Sequence, residues 1–411
     1  KTWLLREFGR LAYEDLAYFN FEHNEALAER FRKNLDPERL ITELGVVHGR
    51  AIKPGTTLVF FDEIQFCGEA LTALKYLHEV MPEYHIVCAG SLLGIALAHP
   101  TSYPVGKVDL MTLRPMNFQE FLLANGEDIL VDYITREVIQ PEPIPAVFAD
   151  RLVGLLKAYY TTGGMPEAVS VWLETKDVGA VEAVQQAILD FFELDFGKHA
   201  PATDIPKLSM IWNSIPSQLA KENKKFIYGL VKQGARARGF EDAMKWLENA
   251  GMVHKSHRVE KPSMPLKAYA DTSHFKLYMA DVGLLRKMAG LSARTILEGD
   301  AAYQEFKGAL VENYCLQELV SILGETPFYW TSGNIAEVDF VAQIADSIVP
   351  IEVKSALNLK AKSLAVYRGR YKPVVSVKAS QSNLSYADGL LNCPLYLLWR
   401  LPDILGGIVR D

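Results

Sequence analysis

Leu58 to Gln65 reads LVFFDEIQ, an apolar run that stops at two adjacent carboxylates. Four consecutive apolar residues, preceded by Gly55 and closed by charge, predict a strand buried on both faces, the kind that parallel α/β sheets contain. Acids at the C-terminal edge of such a strand stand where open α/β sheets bind their ligands. The bland alternative is a strand end with two solvated acids.

The start of the chain weighs on that choice. Lys1-Thr2 followed by WLLREFGRL reads as the last two residues of a G-x-x-x-x-G-K-[ST] phosphate loop entering a helix. In that reading Lys1 reaches the β- and γ-phosphates of ATP and Thr2 ligates Mg²⁺. Asp62 holds the magnesium, usually through water, and Glu63 polarises the attacking water. The glycines of the loop are not in the sequence, so the chain is expected to begin inside its own nucleotide loop and, as it stands, to bind ATP poorly.

The 411 residues allow two or three domains, each with an ample core. A net charge of −7 argues against a chain basic throughout but not against local basic patches. Cys67, Cys88, Cys315 and Cys393 are scattered without C-x-x-C spacing, which fits free thiols in the cytosol rather than zinc or disulfides. No signal peptide and no long apolar run stands out, so neither export nor a membrane partner is expected.

Helix and strand alternate through the first ~125 residues. Helix 2–10 leads to a strand at Leu16–Phe21, a helix at Asn24–Arg32 and then the LVFFDE strand. A helix around Ala70–Leu77 precedes strands at His85–Ala89 and Val108–Leu113. Such alternation implies right-handed crossovers and a parallel sheet. Ser91 follows a strand end, where it can either touch the γ-phosphate or cap the next helix. Residues ~126–200 read as helical, broken at Gly163-Gly164-Met165-Pro166. From ~205 to ~285 a helix, a turn, a second helix at Phe240–Asn249 and a strand pair outline a winged helix. Six basic residues and one acid, Glu222, lie between Lys221 and Arg238, either as a phosphate-contacting face or as a solvated surface.

A second pattern occupies the last ~110 residues. Tyr303–Leu323 reads as an amphipathic helix carrying Glu312, followed by strands at Phe328–Thr331, Glu337–Gln343 and Ile348–Lys354. Strand alternation puts Glu352 and Lys354 on one face, and a hairpin brings Asp339 beside Glu352. This is the D-x(12)-E-x-K arrangement of PD-(D/E)XK nucleases, with Glu312 as the helix-borne acid. Asp339 and Glu352 suit Mg²⁺, the metal activates water, and Lys354 offsets charge in the transition state. Seven Lys/Arg and no acid lie between Val353 and Ala387; Lys360, Lys362, Arg368, Arg370 and Lys372 are candidates for a nucleic-acid path, with DNA the expected partner. An exposed, salt-bridged face would share this pattern.

LVFFDEIQ, CAGSLLGIAL, PVGKVDLMTLRPMNFQEFL, TTGGMPEAV and GALVENY…YWTSGNIAEVDF…PIEVKSALNLKAKSL occur in that order. Together they resemble a bacterial and archaeal family of AAA-type ATPases with a C-terminal domain of unassigned function, and the likeness runs along essentially the whole chain. The resemblance implies an α/β protein: a P-loop ATPase core with a parallel sheet at 1–125, a helical lid at 126–200, a winged helix at 201–295 and a restriction-endonuclease-like domain at 296–411. It places Lys1 and Thr2 at Walker A, Asp62 and Glu63 at Walker B, Ser91 near sensor 1, and Gly164 and Pro166 at a G-x-P lid motif. Glu312, Asp339, Glu352 and Lys354 match its nuclease-like pattern. No arginine stands in GGMPEA, which leaves Arg114 either as a finger residue or as the partner of a strand-end carboxylate. The implied function is ATP hydrolysis governing a Mg²⁺-dependent nuclease-like domain; the alternative is a regulatory switch that binds DNA or protein without cutting. Either is compatible with oligomers.

Overall fold

The computed structural model describes every residue except 91–105, 139, 222–223, 299–303, 334, 345, 356–361 and 411. The chain divides into two compact units, Lys1–Leu113 and Arg114–Asp411. The segments read as lid, winged helix and nuclease-like end fall within the second.

In the first unit, α1 (Thr2–Ala12) precedes β1 (Asp15–Asn20), α2 (Glu25–Lys33), α3 (Pro37–His48), β2 (Thr57–Asp62), α4 (Gly68–Val80) and β3 (His85–Cys88). The strands form a parallel sheet ordered β1-β2-β3, with Asn20 beside Asp62 and Phe61 beside Cys88. Every residue of β2 is buried, as expected for a central strand covered on both faces. Phe21, Phe31 and Phe61 pack edge-to-face, their centroids 5.4–5.7 Å apart, and tie α2 to the sheet. Helix α3 was not foreseen. Its ends are nonetheless written in the chain: Asp36 accepts the Arg39 N–H, Pro37 opens the first turn, and Gly49 closes it at φ 81°.

The strand expected at Val108–Leu113 does not form; these residues are irregular, and Leu110, Met111 and Leu113 are exposed. Among the described residues no neighbouring strand pairs with them, and an apolar run without a ladder partner has no reason to stay extended as a strand.

The second unit begins with helices α5 (Phe118–Ala124), α6 (Asp128–Glu137), α7 (Ala146–Thr162), α8 (Pro166–Thr175), α9 (Val178–His199), α10 (Ile205–Leu219), α11 (Tyr228–Val231) and α12 (Glu241–Asn249). The break between α7 and α8 is the Gly-Gly-Met-Pro segment. Gly163 adopts φ 72°, and a Cβ on Gly164 would lie 2.0 Å from the Met116 carbonyl oxygen, so only glycine permits that approach.

Strands β4 (Val253–Val259) and β5 (Ala270–Met279) lead through α13 (Val282–Met288) and α14 (Ala293–Glu298) to α15 (Gln304–Leu323). Then come β6 (Phe328–Thr331), β7 (Glu337–Ile344), β8 (Ser347–Val353), α16 (Lys362–Tyr371), β9 (Ser376–Ser380), β10 (Ser385–Ala387), β11 (Leu390–Pro394) and α17 (Leu401–Arg410). Among the described residues these strands make one eight-stranded sheet, ordered β10-β11-β9-β8-β7-β6-β4-β5. The β4–β5 hairpin is therefore continuous with strands β6–β8. The seam is parallel, pairing Arg258 with Tyr329 and Val259 with Trp330, and Ser256 Oγ donates to the Pro327 carbonyl at 2.7 Å.

Helix α15 departs from the amphipathic expectation: Ala309 through Val320 are all buried. It packs against β5, β8, α13 and the 3₁₀ turn Leu395–Arg400, so the stretch Ala309–Val320 leaves no face for water. The polar residues within that stretch are each held. Asn313 brackets the Met279 backbone, accepting at 2.9 Å and donating at 3.1 Å. Gln317 accepts from Val282 N–H and donates to the Tyr159 hydroxyl. Glu318 accepts from Phe118 N–H at 2.8 Å, leaving its second oxygen buried without a hydrogen bond.

Candidate functional sites

The first candidate site lies where the first unit's sheet ends. Asp62, last residue of β2, is 2 % exposed and accepts hydrogen bonds from three directions. Thr2 Oγ1 donates to its oxygens at 3.1 and 3.0 Å, the Tyr18 hydroxyl at 2.8 Å, and the Glu63 backbone N–H at 3.2 Å. A buried carboxylate needs such donors to offset its lost hydration. The structure thus brings Thr2 and Asp62 together although 60 residues separate them.

Glu63 sits in the left-handed region at φ 51°, a conformation that costs a non-glycine residue on the order of 1–3 kcal/mol and recurs at functional sites. The turn swings Glu63 off the strand while Ile64 N–H bonds to Ala89 O at 3.1 Å. The Glu63 carboxylate accepts from the Gln65 amide. Lys1 occupies the N-cap position of α1 without a side-chain cap bond, the first turn holds no acid, and the Lys1 ammonium donates to Gly90 O at 3.0 Å. Burial lowers the Lys1 pKa, and the Glu63 charge works against that. Ser91 lies outside the described residues.

Tyr18 was missed by sequence reasoning. It shares a strand face with Asn20, whose amide donates to its hydroxyl at 3.3 Å, and Arg6 lies 4.4 Å from its ring centroid. The Thr2 hydroxyl and the Asp62 carboxylate form a hard-oxygen donor pair that fits Mg²⁺, with the Lys1 ammonium alongside for phosphate.

The second candidate site lies in the second unit's sheet. Strands β7 and β8 pair Phe340 with Ile351, so the next step sets Asp339 opposite Glu352. Val353 N–H donates to Asp339 Oδ2 at 2.7 Å, and Lys354 Nζ donates to Glu352 Oε1 at 2.6 Å. Glu352 Oε2 is buried without a hydrogen bond. On the next strand Lys378 stands beside Glu352.

Glu312 is held differently from the expectation. Lys224 Nζ donates to its Oε2, and Lys276 Nζ (3.1 Å) and the Tyr278 hydroxyl (2.5 Å) donate to its Oε1. Lys276, 0 % exposed, also lies 2.5 Å from Glu337 Oε1 and 4.0 Å from Asp339 Oδ1. Burial works to raise the Glu312 pKa, but Lys224 and Lys276 together prevail and hold it at about 2. Asp339 is pushed up to about 7 by burial and by the Glu312 charge. Burial would lower the Lys276 pKa; the carboxylates of Glu312, Glu337 and Asp339 raise it instead.

Glu312 is not open to a divalent metal. Both oxygens of Glu312 are occupied by ammonium groups, and among the described residues no three His, Cys, Asp or Glu side chains are grouped to hold an ion. Sequence reasoning missed Lys224, Lys276 and Glu337. Lys224 belonged to the basic run at 221–238, yet it points inward to Glu312.

Of the remaining basic candidates, Lys232, Arg236 and Arg238 are exposed, as are Lys362, Arg370 and Lys372. Arg368 donates to the Asp388 carbonyl, and Lys360 lies outside the described residues. Arg114 donates to the Gly324 carbonyl at 3.0 Å, a backbone partner rather than the strand-end carboxylate that was one of its two expected roles.

Three family comparisons align with these regions. Residues 1–122 match an AAA domain. Residues 153–295 match a domain of unknown function (DUF8612), and residues 307–398 match another (DUF4143). No curated protein matches the chain. Among solved structures, a Walker-type ATPase of Pyrococcus abyssi is similar at a TM-score of 0.41 and 13% identity, over 70% of this chain and 87% of that one; so loose a likeness carries no argument. No helix among the described residues is long and apolar enough to cross a membrane. The AAA match covers the residues that build the Thr2–Asp62 site, and it supports an AAA-type ATPase for the N-terminal part of the chain.

Proposed function

We propose that the chain binds and hydrolyses ATP in its first unit and uses the nucleotide state to govern a nucleic-acid-binding second unit that does not cut. The observation that carries the first half is the Thr2 hydroxyl on the buried Asp62 carboxylate. In this reading Lys1 binds the β- and γ-phosphates, and Thr2 and Asp62 hold Mg²⁺, which when bound neutralises phosphate charge. Glu63 takes a proton from water as its oxygen bonds to the γ-phosphorus, and the bond to the β–γ bridging oxygen breaks to release ADP. Tyr18 and Gln65 position Asp62 and Glu63 through their hydrogen bonds.

For the second unit, the opposition of Asp339 and Glu352 beside Lys354 supports a nuclease-like fold. The order α10, α12, β4, β5 supports a winged helix within it. Exposed Lys232, Arg236, Arg238, Lys362, Arg370 and Lys372 supply charge for a phosphate backbone, with DNA the first partner to try. Metal-dependent cleavage by Glu312, Asp339, Glu352 and Lys354 is the other reading. The ammonium groups on Glu312 favour the non-cutting switch. Scattered unpaired thiols accord with a cytosolic protein.

The test uses a chain in which a G-x-x-x-x-G segment precedes Lys1. It is incubated with labelled DNA or RNA, Mg²⁺ or Mn²⁺, with and without ATP. The expected result is binding that changes with ATP and no cleavage. Metal-dependent cleavage that disappears in Glu352→Ala/Lys354→Ala would restore the nuclease reading.

A further inference from the structure

A fully buried lysine is among the most costly side chains to place, because an ammonium loses its hydration and regains it only from fixed acceptors. Lys276 meets that cost with carboxylates from two elements: Glu312 on α15, and Glu337 and Asp339 on β7. The face of the Tyr329 ring lies 5.2 Å from the ammonium, adding a fourth electron-rich neighbour. Glu312 and Glu337 place an oxygen within 3.1 Å of the Lys276 ammonium and Asp339 one at 4.0 Å. These are hard anionic oxygens of the type that holds Mg²⁺ or Mn²⁺ in other proteins, although spaced around the ammonium they form no metal-holding group among the described residues. Here the position between them already holds a positive charge.

The lysine is held firmly. Its strand pairs Lys276 with Ser256 of β4, and Ser256 is anchored to the Pro327 carbonyl. Lys225 forms an isolated bridge to Lys276 from the other side. The backbone of Lys276 therefore stands between two partners, which fixes where the side chain can reach.

We infer that Lys276 is a tethered cation that takes the place of a divalent metal between Glu312, Glu337 and Asp339, and so keeps this centre metal-free. Lys224 completes the arrangement by covering the other Glu312 oxygen. Two ammonium groups thus face three carboxylates, so the cluster carries no large uncompensated charge that would draw an ion in. A positive charge at fixed position also repels an incoming cation, which a neutral side chain of similar length would not. This inference deepens the non-cutting reading of the second unit and is independent of ATP hydrolysis.

The test measures metal binding by the full chain without nucleotide, using Mn²⁺ detected by electron paramagnetic resonance. It compares wild type, Lys276→Met, Glu337→Gln and Lys276→Met/Glu337→Gln. Wild type and Glu337→Gln are expected to bind Mn²⁺ alike. Lys276→Met is expected to gain one site at least about tenfold tighter than any in wild type, and the added Glu337→Gln to remove it. If Lys276→Met folds only when Mn²⁺ is supplied, the inference is supported in the same way. Wild-type Mn²⁺ binding that Glu337→Gln abolishes would overturn it, as would a folded Lys276→Met that gains no site. DNA cleavage is read separately. Cleavage without metal bound at Glu337 would sink the non-cutting reading and leave the tethered cation standing.

Discussion

Glu318 shows how much one buried carboxyl can shape the behaviour of this protein. Burial pushes its pKa up to about 8 against an ordinary 4.5, partly offset by the Phe118 N–H. Between those values the native state binds a proton that the unfolded chain does not, so stability falls as pH rises from about 4.5 to about 8. Asp339 adds to the same trend between its ordinary 3.8 and about 7. Glu312 acts in the opposite sense, losing its contribution as pH falls from 4.5 towards about 2. Glu318→Gln keeps the acceptor for Phe118 N–H and cannot ionise. The variant should lose less stability between pH 5.5 and 8.5 than wild type, as read from urea midpoints; an equal loss would contradict this account. The sequence made Asp62, Glu63, Asp339 and Glu352 legible because each ends or alternates along a hydrophobic run. It concealed Tyr18 and Lys276, whose partners lie 44 and 36 residues away. Nothing in their own neighbourhoods signals those contacts.

At the scale of elements, caps and close approaches decide which segments hold. Asp36 caps α3, and Asp36→Ala should cost about 1 kcal/mol of stability, measured by chemical denaturation followed through the first unit. No loss would mean that Pro37 and Gly49 alone define the helix. At the α7–α8 break, Gly164→Ala would force a methyl group against the Met116 carbonyl. That overpacking should destabilise the second unit by about 1–3 kcal/mol, seen as a lower melting temperature; an unchanged melt would show that the segment yields freely. Periodicity and turn residues were enough to place β1 through β3, the helical stretch and the β6–β8 strands. Two expectations failed for tertiary reasons. Residues 108–113 have strand-like composition but no strand to pair with. Helix α15 reads as amphipathic because it carries Glu312, Asn313, Gln317 and Glu318, yet each of these is buried against a partner that sequence alone does not reveal.

The whole molecule is two units joined at an exposed, irregular segment. Leu110 and Met111 lie open to solvent there, and such segments are where proteases cut first. Limited proteolysis should therefore cleave within residues 106–113 and leave a resistant fragment beginning near Arg114. First cleavage inside the eight-stranded sheet would contradict the division. Continuity of that sheet across β4 and β6 places the β4–β5 hairpin and strands β6–β8 in one sheet of the second unit, across the boundary at 295/296 that the family resemblance implies. The proposed ATP hydrolysis centres on Thr2, Asp62 and Glu63. The most direct measurement is steady-state ATP turnover by a chain in which a G-x-x-x-x-G segment precedes Lys1, compared with its Glu63→Gln variant. Loss of a general base should lower turnover about 10²–10⁴-fold while ATP still binds. Turnover unchanged by Glu63→Gln, or no turnover in either protein, would contradict the account.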